Sequence, residues 1–369
     1  MGYRVPFVNP AKNYALIKAE IDAAYAEVMS KGDLIDRGQL RSFEKNLAAF
    51  VGTKYAVGLN SGYDALHISL RAAGIGPGDE VIVPAHTFVA SCSAVVNVGA
   101  TPVLVDVARD FNIDAAKIEE AVTPKTKAIL PVHLNGTMAD MPRVMDIARK
   151  HGLVVVEDAC QSLGSSIRGK QAGAWGLTGC WSFYPFKILG GYGDGGAITT
   201  NDEDVALFAT RIRYNGEDRL SGEYHGHGFT CLLDNLQAAF LDVKLRHLPA
   251  WIVRRKEIAE MYRSALSGIP GLLLPHYQAP GFDHVYQNYV VRSDRGDEFS
   301  EYLKAHGVEV LVQFRKPYYR HAALDLTDRG FPETEALSRE VCSLPMNVEM
   351  DDDDVRFVIR AVRDFYGLK

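Results

Sequence analysis

Lys187 stands between the aromatic run WSFYPF (181–186) and the glycine-rich stretch GGYGDGGA (190–197). Upstream, VVVEDACQ (154–161) carries the apolar run of a fully buried strand and brings a carboxylate, Asp158, to its end. A carboxylate taken out of water needs a cation or strong donors beside it. An amine and a carboxylate projecting from neighbouring strands into one cleft suit one cofactor well, pyridoxal 5'-phosphate (PLP). It would be held as a Schiff base on Lys187, while Asp158 keeps the ring nitrogen protonated so that the ring serves as an electron sink. The phosphate needs donors of its own. Ser182 offers a hydroxyl beside the lysine, and Ser61-Gly62-Tyr63 opens a predicted helix whose free N–H groups attract an anion.

The elements that must position these groups alternate along the chain. YAVGLN, EVIVP, PVLVDV, KAILPV and LVVVED read as strands, and helices are expected over 62–73, 87–98, 114–122 and 140–151. Such alternation implies an α/β protein whose mostly parallel sheet is covered by helices, with ligands at the carboxyl ends of the strands. The stretches 60–64, 85–88, 133–136, 158–161 and 182–187 all fall there. Helices are also expected over 15–30, 39–50 and 201–214, with the loop GDLIDRG (32–38) between the first two. Pro249 is expected to separate a helix over 234–248 from another over 251–266. The remainder, NYVVR, a helix over 297–306, a strand VEVLVQF, and helices over 333–342 and 351–365, reads as a small C-terminal α+β domain. The expected division is therefore a large domain, 1–248, with an N-terminal helical segment, and a small one, 249–369.

With 47% hydrophobic and 23% charged residues, 369 residues suffice for two such cores. A net charge of −6 argues against nucleic acid as a partner. Five cysteines without metal-ligand spacing read as reduced thiols of a cytoplasmic protein, and no metal site is expected. Neither a signal-peptide core nor an apolar run of membrane-spanning length, roughly 20 residues, is present.

SGYDAL (61–66), PAHTFVAS (84–91), PVHLNG (131–136), VEDACQ (156–161), SFYPFK (182–187), GDGGA (193–197) and LLDNLQAA (232–239) occur in that order. The series, which spans most of the chain, resembles the DegT/DnrJ/EryC1/StrS family of PLP-dependent nucleotide-sugar aminotransferases. The resemblance implies PLP fold type I, the aspartate-aminotransferase-like fold. It also implies transfer of an amino group from L-glutamate, released as 2-oxoglutarate, to a nucleotide-linked ketosugar through pyridoxamine phosphate. A homodimer with active sites at its interface is implied as well. Lys187 favours amino transfer, since dehydratases of the family carry His there. GDGGA resembles members that aminate C-3 of dTDP- or UDP-linked 3-ketosugars. Amination at C-4 of a 4-ketosugar, a PLP-dependent sugar dehydratase, and a non-catalytic regulator on the same fold are the alternatives.

Each site residue also has a plainer reading. Ser61 and Asp64 form a helix cap while the Gly62 and Tyr63 amides face the phosphate; where the family usually has Thr, Tyr63 keeps the amide and puts the hydroxyl contact in question. The family places an aromatic at Phe88 against the cofactor ring, although His86 could serve or either could be core. Cys160, two residues past Asp158 and on the same side of the strand, falls on the other ring face where the family has Ala. Gln161 would donate to the cofactor's phenolic oxygen or cap a helix. Thr230 aligns with the family's Asn that reaches a neighbouring subunit's phosphate, and Leu232 replaces an Arg. His225, His227, Arg315 and Lys316 read as solvated, and the acidic run 351–354 as a helix cap.

Overall fold

The computed structural model describes residues 2–275, 280–326 and 330–368. Short β-branched runs form the centre: β1 (Tyr55–Leu59), β2 (Glu80–Pro84), β3 (Thr101–Val105), β4 (Thr126–Ile129), β5 (Val154–Asp158), β6 (Thr178–Ser182) and β7 (Gly196–Thr200). They make one seven-stranded sheet in the order β1-β7-β6-β5-β4-β2-β3. Every pairing is parallel except those of β7, which runs antiparallel to both β1 and β6. Being covered on both faces, these strands are apolar on both. Val81, Val83, Val156 and Ile198 pack against α4 (Gly62–Ala72), α5 (Val89–Asn97) and α8 (Glu203–Ile212). Their sequence neighbours Ile82, Val155 and Ala197, with Trp181 of β6, pack on the opposite side with α3 (Gly38–Val51), α7 (Met141–His151) and α9 (Asn235–Leu266).

A second core joins Ile258, Tyr262 and Leu266 of α9 to α10 (Gly296–Ala305), α12 (Asp352–Phe365) and a three-stranded antiparallel sheet. That sheet has the order β8 (Leu272–Leu273), β9 (Tyr289–Ser293), β10 (Val341–Leu344). The N-terminal Val5 belongs to this core and bridges to Val308.

Several local expectations are corrected. The predicted break at Pro249 is absent: α9 runs 32 residues straight through it. Leu245, Leu248 and Ile252 are buried on either side of the proline, and this packing outweighs the missing N–H and the steric penalty of about 3 kcal/mol. The helix therefore crosses residues 248 and 249, where the sequence suggests a junction, and feeds both cores. VEVLVQF forms no strand; Val308 and Leu311 make isolated bridges, and Phe314 turns the chain with φ +55°. The helix expected to reach 342 is α11 (Pro332–Glu340), and VCSL after it enters the sheet as β10, an apolar run too short to separate helix from strand by period. The helix expected over 114–122 is one turn, α6 (Ala115–Ile118), followed by a 3-10 turn. The first expected helix is two, α1 (Pro10–Leu16) and α2 (Lys18–Lys31), meeting at the non-helical Ile17. Among the described residues no helix is long and apolar enough to cross a membrane.

Replacing Pro249 by Ala restores a helical N–H in mid-helix. The free energy of unfolding in urea should rise by about 1–3 kcal/mol; a fall would show that Leu248 and Ile252 need the proline's geometry.

Candidate active site

Two consecutive carboxylates end β5 and, by strand alternation, serve opposite faces. Glu157 is fully buried and saturated: it accepts from the amides of Gly173 (2.9 Å), Trp175 (2.7 Å) and Gly176 (2.8 Å) and pairs with His133 Nε2 (2.9 Å). The Ala139 amide donates to His133 Nδ1 at 3.2 Å, so Nε2 carries the proton that Glu157 receives. Asp158, 6% exposed, accepts at Oδ2 from Ser91 Oγ (2.7 Å) and at Oδ1 from the Cys160 amide (3.2 Å). Thr87 Oγ1 lies 3.0 Å from Ser91 Oγ. Glu157 is a structural knot, and Asp158 retains capacity for a cationic partner.

Lys187 lies in the connection that leaves the neighbouring strand, β6. β6 ends at the half-buried Ser182, whose Oγ accepts from the Tyr184 amide at 3.3 Å. The chain then folds back, with the Lys187 amide on Tyr184 O (2.8 Å) and the Gly191 amide on Phe183 O (2.8 Å). A Cβ on Gly190 would lie 2.3 Å from Pro185 O, so the turn closes only with glycine there. Burial first, then the Asp158 carboxylate, pushes the Cys160 thiol well above the ordinary cysteine range, while Lys187 pulls it the other way. The amine, the carboxylate and the thiol therefore share one electrostatic neighbourhood.

Gly62 completes it. A Cβ there would fall 2.8 Å from Ser182 Cβ and 2.9 Å from Cys160 Sγ, so α4 begins directly against both. Ser61 caps the helix, accepting from the Asp64 amide at 3.1 Å, and its hydroxyl donates to Asp64 Oδ2 at 2.5 Å. The Tyr63 phenol is tied instead to α5, accepting from Asn97 Nδ2 at 2.5 Å. Phe88 sits at the N-cap of α5 with its side chain 57% exposed. Gln161 spends its carboxamide oxygen on the Asn135 amide at 2.9 Å. Thr230 is exposed, with its hydroxyl on Asn215 Oδ1 at 3.1 Å. The chain thus gathers Gly62, Asp158, Cys160 and Ser182, with Lys187 in the connection after Ser182, and leaves the Tyr63 and Thr230 hydroxyls engaged elsewhere.

Among the other sequence candidates, Arg315 is held by Asp297 at 2.7 Å and by Arg339 O at 2.7 Å, while Asp351 and Asp354 form a capping box on α12. The sequence reading missed Ser91 and Thr87 as Asp158's supports. Their i, i+4 spacing at the start of α5 was the available signal.

An amine, a supported carboxylate, a hydroxyl and a helix start narrowed to glycine form a donor set that fits pyridoxal phosphate. Gly62→Ala should weaken PLP binding at least about tenfold in a fluorescence titration, because Ser182 and Cys160 must move. His86, 4% exposed and edge-on to Phe314 at 5.3 Å, generates a second prediction. Burial, against the pull of Asp106, lowers its pKa from 6.5 to about 4. Between those values the unfolded chain binds a proton that the folded one refuses, so stability falls as pH drops from 6.5 to 4, by up to about 3 kcal/mol. His86→Phe should flatten that part of the urea-stability profile.

Comparison with known proteins identifies the family of the chain. The sequence profile of the DegT/DnrJ/EryC1/StrS aminotransferase family matches residues 15–363. The dTDP-3-amino-3,4,6-trideoxy-alpha-D-glucose transaminase of Streptomyces venezuelae is 41% identical, covering 98% of this chain and 96% of that protein. A pleiotropic regulatory protein of Geobacillus stearothermophilus is 39% identical, covering 98% of each. The X-ray structure of S. venezuelae DesV in complex with a ketimine intermediate superposes with a TM-score of 0.95 at 41% identity over 99% of both chains. The chain belongs to the DegT/DnrJ/EryC1/StrS aminotransferase family and is a PLP-dependent sugar aminotransferase of fold type I.

Proposed function

We propose that the protein transfers the amino group of L-glutamate to C-3 of a dTDP- or UDP-linked 3-ketosugar, acting as a cytoplasmic homodimer. The observation that carries this reading is the close approach of Gly62, at the start of α4, to Ser182 and Cys160, with the Cys160 amide bonded to Asp158 and Lys187 in the connection that follows Ser182. The GDGGA stretch and the 3-amino-sugar relative support C-3. Exposed Tyr184 and Phe186, edge to face beside the lysine, suit a covering partner subunit.

Pyridoxal phosphate bound here supplies the electron sink that lets the bonds at the amino-bearing carbon break. Lys187 Nζ would be its covalent attachment point and would serve as the acid–base group that carries the proton to and from that carbon. Asp158, steadied by Ser91 and the Cys160 amide, would hold a proton on the ring nitrogen. Ser182 Oγ and the amides of Gly62 and Tyr63 would hold the phosphate at the start of α4. Phe88 and Cys160 would bound the ring's two faces, Gln161 Nε2 would donate to the phenolic oxygen, and Thr230 would reach a partner subunit's phosphate only by releasing its bond to Asn215 Oδ1.

A regulatory role is the second reading, raised by the Geobacillus relative. Intact Lys187, Asp158 and Ser182 argue for turnover. Incubation with 15N-labelled L-glutamate and dTDP- or UDP-linked 3-ketosugars should release 2-oxoglutarate and place 15N on C-3 by NMR, and Lys187→Ala should slow this by about 10²–10⁴-fold or more. Label on C-4 from a 4-ketosugar alone would contradict the position, and no transfer to any ketosugar would favour the regulatory reading.

A further inference from the structure

We propose that Gln287 is a positioning residue for Lys187, its carboxamide spanning the two peptide units that flank the lysine. The inference rests on Lys187 being the cofactor-bearing residue. Gln287 lies two residues before β9 and is 7% exposed. Its Oε1 accepts from the Ile188 amide at 2.6 Å, and its Nε2 donates to Phe186 O at 2.9 Å. One planar group therefore takes the carbonyl before the lysine and the N–H after it. Among side chains of this size, only a carboxamide or a protonated carboxyl offers acceptor and donor together at one end.

The clip is itself anchored. Arg255 Nη1, from the second half of α9, donates to Tyr286 O (2.9 Å), Met346 O (2.6 Å) and Gln287 O (3.4 Å). A Cβ on Gly136 would lie 2.4 Å from Gln287 N, so the loop after β4 packs directly on this backbone. The next residue, Asn288, donates from Nδ2 to Asn135 Oδ1 at 3.1 Å, and the Asn135 amide in turn binds Gln161. Residues 286–288 thus fasten two stretches of the site at once. On the far side of the lysine turn, Lys244 Nζ donates to Gly190 O at 2.7 Å.

A lysine side chain has four rotatable bonds, so the direction of its Cα–Cβ bond decides where Nζ spends its time. That direction is set by the two peptide units Gln287 holds. Displacing a reacting group by about 1 Å costs up to about 100-fold in rate. A residue that merely filled space would change stability and leave the chemistry of the folded enzyme intact.

The test uses the PLP-loaded enzyme with Gln287→Leu and Gln287→Glu. In Gln287→Leu, the long-wavelength absorbance of lysine-bound PLP should still form, but its pH titration should shift. The single-turnover rate with L-glutamate should fall about 10- to 100-fold, with the Kd for L-glutamate changed by less than about twofold. Gln287→Glu keeps both contacts while protonated and loses the donor when ionised. Its rate deficit relative to wild type should therefore grow reversibly with rising pH, a readout that also decides the matter if the leucine variant fails to fold. A leucine variant with wild-type rate and titration, or a glutamate variant whose deficit is independent of pH, would overturn the proposal. Failure of the wild-type protein itself to form a lysine-bound band would instead remove the cofactor assignment on which it rests.

Discussion

The Asp158 carboxylate lies almost wholly out of water at the carboxyl end of β5, the middle strand of seven. Burying an isolated charge costs several kcal/mol, so such a group persists only where donors surround it. Those donors come from elements far apart in sequence: Ser91 opens the helix after β2, and the Cys160 amide belongs to the turn that leaves β5. The parallel register of β2, β4 and β5 brings them together. The adjacent Glu157 shows the alternative outcome. With three backbone amides and a neutral histidine it locks its own loop and has little left for chemistry.

The lysine must reach that carboxylate without a helical crossover, and the antiparallel β7 makes this possible. β6 and β7 form a long hairpin whose connection carries Lys187, and glycines let that connection fold tightly back. A Cβ on Gly196 would stand 2.2 Å from Ser61 O, so β7 can lie alongside the start of α4 only as glycine. The same close approach that narrows the Gly62 cradle thus fixes the end of the lysine connection. Residues 286–288 then clamp the turn from the C-terminal side, so the lysine's backbone is held from both parts of the protein.

Much of this was legible in the sequence because strand ends in a parallel sheet collect on one edge, and the blocks around Asn60, His86, Asn135, Asp158 and Ser182 all end strands. The fold class followed from the same alternation. Where tertiary packing overrode a local signal, reading failed: Pro249 continues a helix because its flanks are buried, and VCSL joins a sheet because β9 offers it an edge. Gln287 was invisible for a different reason. Its partners are main-chain atoms about a hundred residues away, and no residue type or spacing advertises a bond to a backbone. The Thr230 hydroxyl, aligned by resemblance with a phosphate contact, is engaged with Asn215 within this chain.

The identity of the cofactor-bearing residue can be read most directly by borohydride reduction of the PLP-loaded protein, which makes the lysine linkage permanent, followed by peptide mass mapping. The expected result is a single phosphopyridoxyl mass on Lys187. Labelling of another lysine, such as the buried Lys244 whose pKa burial lowers to about 8, or no labelling at all, would contradict the assignment of this site.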